Sequence, residues 1–401
     1  MTNHLPFSLK DFNLPLVNNF SRQLLQVKRK KIALVVQGGG QRGIFTAGVF
    51  DAFLDAGFDP FELYIGTSAG ALNLSSFISR QSGFSYNFIV DFTTDNEFFN
   101  LYKYLSQQKP MNLDWALQAV TPGGSMPLDV AKAQEVLAKR TALACATRKD
   151  NLQDLYLPLY GHNWCEVLKA SCAIPVIYNQ PVNIDDLEWV DGGVSAAVPV
   201  KEAWQRGADL VVVVRTEPLS YKQGDSRTTN DWRGRIESAL PEYIDRLNRN
   251  SSFGRVKTLH SEFSTKFDLW KDTLREKGVT FPERNTDEVT ASKERSWSLL
   301  SQENIERLLA MTGKGKSNEI LEMLNRYYTT YNDAHEFMLS PPDGLKVIQI
   351  TPEKNLRSRA LLSDKDDLEV DYKEGKIVGR EFVNHFADIL NETSSVSASV
   401  K

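Results

Sequence analysis

Ile65-Gly66-Thr67-Ser68-Ala69-Gly70-Ala71 is a short strand running into Gly-x-Ser-x-Gly and then into a helix, and this passage decides the fold class. A strand-to-helix turn this sharp forces its serine into a strained conformation, and Gly66 and Gly70 remove the Cβ atoms that would collide there. Leu63, Tyr64 and Ile65 lead in, and Ala69, Ala71, Leu72, Leu74, Phe77 and Ile78 form a helical apolar face predicted to end near Gly83. A serine hydroxyl presented in this way is a candidate nucleophile.

Upstream, Lys31-Ile32-Ala33-Leu34-Val35-Val36 is an apolar run of the kind buried on both faces of a parallel sheet. It empties into Gln37-Gly38-Gly39-Gly40-Gln41-Arg42-Gly43, and a helix is predicted next, with Ile44, Ala47, Phe50 and Leu54 apolar and Gly57 as its stop. Glycines at a helix start leave backbone N–H groups bare toward an anion. Two anions compete for them. Gly38-x-Gly40-x-x-Gly43 satisfies the dinucleotide fingerprint, but the next strand ends in Gly66-Thr67-Ser68 where a ribose-binding acid should stand. The alternative anion is the oxyanion of an acyl intermediate, which needs N–H donors near a nucleophilic serine; in a parallel βαβ unit both loops fall at one sheet edge.

A serine needs a base. His4 falls in the N-terminal tail and His260, His335 and His385 in charged helical segments, which leaves His162, in a loop, as the histidine candidate. Trp189-Val190-Asp191-Gly192-Gly193-Val194 offers a carboxylate at the end of an apolar lead-in. Pro199 and Gly207 bracket a predicted helix and Leu210 to Val214 a buried strand, so Asp191 is expected in a crossover connection, where site residues collect.

Gly-Gly-Gly-x-Arg-Gly at Gly38 to Gly43, Gly-Thr-Ser-Ala-Gly at Gly66 to Gly70, Ala170-Ser171-Cys172-Ala173-Ile174-Pro175 and Asp191-Gly192-Gly193 together resemble the ordered motifs of the patatin-like phospholipase family, in a bacterial member. The resemblance covers about Lys31 to Thr216, and Lys346 to Ile350 and the later Asp371 to Gly375 look similar to the family's closing strand and helix. It implies a three-layer α/β/α sandwich with a mostly parallel central sheet, to which the charged amphipathic segments after Thr216 are expected to add a helical C-terminal extension. It further implies a Ser68–Asp191 dyad, an oxyanion loop of Gly38, Gly39 and Gly40 supported by Arg42, and hydrolysis of acyl esters of phospholipids or other lipids with no metal or cofactor. The rival reading is a non-catalytic or nucleotide-binding α/β protein using the glycine loop.

With 401 residues and 41% apolar content the chain can bury a large core, and a net charge of −4 predicts no affinity for nucleic acid. Met1 to Lys30 lacks a signal-peptide core and no apolar run reaches membrane-spanning length, so a cytoplasmic protein is expected, peripheral at the membrane at most. Cys145, Cys165 and Cys172 make no metal or disulfide pattern, in keeping with a reducing compartment. The expected division is a tail (1–30), catalytic core (31–216), helical extension or lid (217–340), closing strand and helix (341–390) and disordered tail (391–401). An apolar stripe from Val256 to Leu274 falls in the extension, and the aromatic stretch Phe84 to Tyr104 either lines an acyl pocket or packs in the core. Composition leaves the oligomeric state open, and beyond substrate the one expected partner is a membrane surface, touched transiently.

Overall fold

The apolar runs that read as strands in the sequence are buried from end to end, as strands covered on two faces must be. The computed structural model describes residues 3–9, 13–25, 31–99, 111–175, 177–178, 180–219 and 317–394, all within one compact unit. The stripe from Val256 to Leu274 and most of the expected lid lie outside the described residues. Among the described residues nine strands form one sheet: β1 (His4–Phe7), β2 (Ile32–Val36), β3 (Leu63–Thr67), β4 (Thr141–Arg148), β5 (Asp154–Pro158), β6 (Val182–Ile184), β7 (Leu187–Asp191), β8 (Leu210–Val214) and β9 (Lys346–Ile350). The run β1-β9-β8-β2-β3-β4 is parallel throughout, and β5, β6 and β7 are antiparallel additions.

Pairing along β4 positions the site. β3 pairs with β4 as far as Thr67↔Cys145, and β7 takes up β4 from Asp191↔Ala146. β5 pairs with Leu143 to Thr147 of β4, overlapping both. A strand has only two edges, so β5 holds one and β3 and β7 meet end to end on the other. The residue after Thr67 and the last residue of β7 are thereby brought to one place.

Helices cover both faces. Those used below are α1 (Leu14–Leu25), α2 (Gly43–Asp55), α3 (Ala69–Ile78), α4 (Trp164–Cys172), α5 (Val200–Gln205), α6 (Ser317–Leu339) and α7 (Lys365–Thr393). On one face Ala33, Val35, Ile65, Val211, Val213 and Val347 pack against Val200 and Ala203 of α5 and Tyr331, Ala334 and Met338 of α6. On the other, Tyr64 and Phe7 join an aromatic cluster of Phe53 from α2, Phe77 from α3 and Phe382 from α7. The sandwich is therefore three-layered, α/β/α, as the motifs imply. α2 and α7 touch backbone to backbone: a Cβ on Gly375 would stand 2.0 Å from the Phe45 carbonyl oxygen, and one on Gly48 2.2 Å from that of Tyr372.

Regular structure crosses three of the expected boundaries. Residues 1–30, expected as a tail, contribute the edge strand β1, registered His4↔Val347 to Phe7↔Ile350, followed by α1. A four-residue strand carrying Pro6 is too short to show a period, and proline is tolerated there because the strand is an edge. Likewise α6 is a layer of the core, and α7 continues to Thr393, past the expected start of a disordered tail. In the aromatic stretch, Phe84, Phe88, Phe98 and Phe99 are buried in the core. No helix of the described residues is long and apolar enough to cross a membrane.

Candidate active site

Ser68 sits between β3 and α3 with φ 54° and ψ −129°, a conformation that costs a non-glycine residue about 1–3 kcal/mol. The surroundings leave no room for relief. A Cβ on Gly66 would lie 2.7 Å from Cα of Ala71, one on Gly70 2.6 Å from the Val36 carbonyl oxygen, and one on Gly38 3.2 Å from Cβ of Ser68. The Ser68 N–H donates to Oγ of Ser171 at 2.9 Å, and that hydroxyl donates to the Cys145 carbonyl at 2.6 Å. Ser171, near the end of α4, thus ties the turn to the strand that Thr67 pairs with.

Asp191 ends β7 and is buried. It closes the second strand of a hairpin whose turn is Asp185-Asp186, and the connection to β8 begins only after it, which refines the expected crossover position. Its N–H donates to the Ala173 carbonyl, and its own carbonyl accepts from Thr147 Oγ1 at 2.8 Å. Oδ1 accepts from the Gly193 N–H at 2.6 Å, while Oδ2 is buried with no hydrogen-bond partner among the described residues. Burial pushes the carboxyl pKa up to about 6, against the opposing influence of the Ser68 hydroxyl and the Gly193 N–H. The Ser68 hydroxyl thus acts on this carboxyl as a neighbour, while Oδ2 has no partner in hydrogen-bond geometry among the described residues.

The glycine loop runs from the end of β2 across the same edge. The Gly38 N–H is taken by the Ala197 carbonyl at 3.3 Å, whereas those of Gly39 and Gly40 have no acceptor among the described residues. Gly40 has φ +58°, and a Cβ there would meet the Ala360 carbonyl oxygen at 2.2 Å. Arg42 is buried, with Nη1 3.0 Å from Oε1 of Glu217. The other carboxylate oxygen of Glu217 accepts from Gln37 Nε2 at 3.0 Å and from the Tyr331 hydroxyl. Burial alone would raise the Glu217 pKa, but Arg42 and Arg215, with the Tyr331 and Gln37 hydrogen bonds, hold it below the ordinary value.

The structure therefore gathers Ser68, Asp191, Gly38, Gly39, Gly40, Gly66 and Gly70 at one sheet edge, with Arg42 behind the loop facing Glu217. His162 is exposed in a turn, with no hydrogen bond or ion pair among the described residues. Ser171 and Gln37 stand in quoted motifs without an assigned role, and the sequence reading assigns none to Glu217, Arg215 or Tyr331. One signal was available: Arg215-Thr216-Glu217 directly follows the apolar run of β8, and charges at the end of a fully buried strand need partners.

Residues 34–204 match the family model described as patatin-like phospholipase, and residues 317–391 match one described as a domain of unknown function, DUF6363. The chain is 31% identical over 368 residues to the uncharacterized protein YjjU of Escherichia coli, covering 92% of this chain and 81% of that protein. It is 25% identical over 226 residues to lysophospholipase NTE1 of Kluyveromyces lactis, spanning 53% of this chain but 15% of that much longer protein. Among solved structures, VipD from Legionella pneumophila aligns at 12% identity with a TM-score of 0.33, covering 91% of this chain and 67% of that one.

Proposed function

The chain belongs to the patatin-like phospholipase family, and from that premise we propose that it is a serine hydrolase of acyl lipids working through a Ser68–Asp191 dyad. The observation that carries the reading is the meeting of a strained serine with a buried carboxylate oxygen that has no hydrogen-bond partner among the described residues. Oδ2 of Asp191 accepts the hydroxyl proton as Oγ of Ser68 bonds to the ester carbonyl carbon. The N–H groups of Gly39 and Gly40 receive the oxyanion, each worth at most about 3 to 4 kcal/mol to the transition state. Asp191 returns the proton to the departing alkoxide, and water releases the acyl group by the same path, regenerating the serine.

Raising the Asp191 pKa toward 6 makes it a better base while leaving it ionised at neutral pH. The end of β3, where a dinucleotide's ribose would need an acid, is occupied by Thr67 and Ser68, which disfavours the nucleotide reading. Phospholipid substrate is met at a bilayer surface, so contact there is transient and part of turnover. The test is fatty-acid release by the full-length protein from mixed phospholipid vesicles and from soluble short-chain esters, with Ser68→Ala alongside. Release that disappears in the variant supports the reading; release that survives, or none from any ester, overturns it.

A further inference from the structure

Glu217 grips the glycine loop at both ends. One carboxylate oxygen holds Arg42 Nη1 at 3.0 Å on the far side of the three glycines, and the other holds Gln37 Nε2 at 3.0 Å on the near side. The reach is a consequence of topology. β2 and β8 are parallel neighbours with Val36↔Val214 in register, so Arg215, Thr216 and Glu217 run alongside Gln37 and the loop. Thr216 reinforces the contact: its N–H donates to Gln37 Oε1 at 3.2 Å and its hydroxyl to the Gly38 carbonyl at 3.2 Å, and a Cβ on Gly39 would lie 2.8 Å from that hydroxyl.

The grip is completed from outside the matched catalytic stretch. The Tyr331 hydroxyl, on α6, donates to the Gln37-bound oxygen of Glu217 and accepts from Arg215 Nη2 at 2.9 Å. Arg215 is fully buried and bonds Gln349 of β9 through Nη1 at 3.0 Å. Farther along, the Ala360 carbonyl accepts from the Gln41 N–H at 2.9 Å, and Gln41 Oε1 accepts from the Ser363 N–H at 2.8 Å. Three residues of 317–391, Tyr331, Ala360 and Ser363, thus close on the loop or on the carboxylate that holds it.

We propose that Glu217 and Tyr331 are positioning residues that hold the glycine loop with the Gly39 and Gly40 N–H groups aimed at the reacting carbonyl, and that the region of unknown function, 317–391, serves this catalytic site. The assignment rests on the hydrolase reading for its catalytic consequence, while the mechanical claim about the loop stands apart from it. An aligned N–H pair loses effect steeply with displacement, because a shift of about 1 Å at such a site can lower turnover about a hundredfold. The Tyr331 hydroxyl stabilises the charge of the buried carboxylate by donating to the oxygen that holds Gln37.

The test uses full-length wild type, Tyr331→Phe and Glu217→Gln, with two readouts. First, kcat is measured per active site, counted by covalent titration with a fluorophosphonate, on an ester whose cleavage depends on Ser68. We expect kcat per site to fall roughly ten- to a hundredfold in Tyr331→Phe with KM within about twofold and the pH profile unmoved in shape. A merely structural role would lower the number of sites and leave kcat per site intact, which overturns the proposal. Second, hydrogen exchange is followed by peptide: residues 37–43 should exchange faster in the variant while 63–78 stay as in wild type, and unchanged exchange at 37–43 overturns it independently of activity. If wild type cleaves no ester but the loop is released, the hydrolase reading fails and the positioning of the loop survives. Glu217→Gln keeps the acceptor oxygen and loses the charge, so it is expected to exceed Tyr331→Phe; should it not fold, Tyr331→Phe carries both measurements.

Discussion

The backbone N–H of Ser68 is hydrogen-bonded to the hydroxyl of Ser171 over 2.9 Å, which places the strained turn under the control of a helix far along the chain. The same hydroxyl donates to the carbonyl of Cys145, the residue paired with Thr67, so one buried side chain joins three elements.

Ser171→Ala removes both bonds and leaves a buried N–H and a buried C=O short of a partner. Such loss costs about 1–3 kcal/mol, and the midpoint of urea unfolding should drop accordingly. Turnover should fall as well, since the turn is no longer braced. An unchanged midpoint would mean that the hydroxyl is dispensable.

Asp191 links pH to both activity and stability. Its native pKa of about 6 exceeds the ordinary 3.8, so between these values the native state holds a proton that the unfolded state has lost. Stability contributed by that proton is present at low pH and disappears as pH rises through about 6, by about 3 kcal/mol in all. Asp191→Asn cannot ionise, so its stability relative to wild type should improve by that order between pH 4 and pH 8, measured by denaturant titration at each pH. Wild-type kcat/KM should rise through the same region, and the variant should be inactive throughout. A stability difference that does not vary with pH would contradict the raised pKa.

Two glycines with positive φ separate strain from collision. Gly57→Ala, at φ +62° with nothing within 4 Å of the new Cβ, should cost only about 1–2 kcal/mol and spare activity. Gly40→Ala, at φ +58°, also drives its Cβ to 2.2 Å from the Ala360 carbonyl oxygen and should displace the loop, costing more stability and nearly all turnover. Thermal melts and ester hydrolysis of the pair decide this; equal losses would argue against the contact.

His162→Ala should retain kcat within about twofold, because this exposed side chain has no link to Ser68 among the described residues. A loss beyond tenfold in ester hydrolysis would restore a histidine base and displace Asp191 from that role.

Much of the catalytic half was legible because its signals are local. The all-apolar runs of β2, β3 and β8 mark strands covered on both faces, and Gly66, Ser68 and Gly70 mark the turn, since backbone strain and Cβ exclusion act over two or three residues. β1 was illegible for the opposite reason. His4-Leu5-Pro6-Phe7 becomes a strand only because β9 offers an open edge, and nothing within four residues encodes that neighbour.

What the amino-acid order determined by itself was the set of parts: a nucleophile turn, a bare glycine loop, a carboxylate at the end of an apolar strand, and the alternation of strand and helix that requires a layered sheet. Tertiary structure decided which parts meet. Ser68 and Asp191 are neighbours because β3 and β7 share one edge of β4, with Thr67↔Cys145 and Asp191↔Ala146 in adjacent register. Glu217 reaches both Gln37 and Arg42 because β8 lies beside β2, and Tyr331 joins them because α6 packs over that face. Strand order and register are set by burial of whole faces and by long-range pairing, a property of the assembled sheet that no local window of sequence contains.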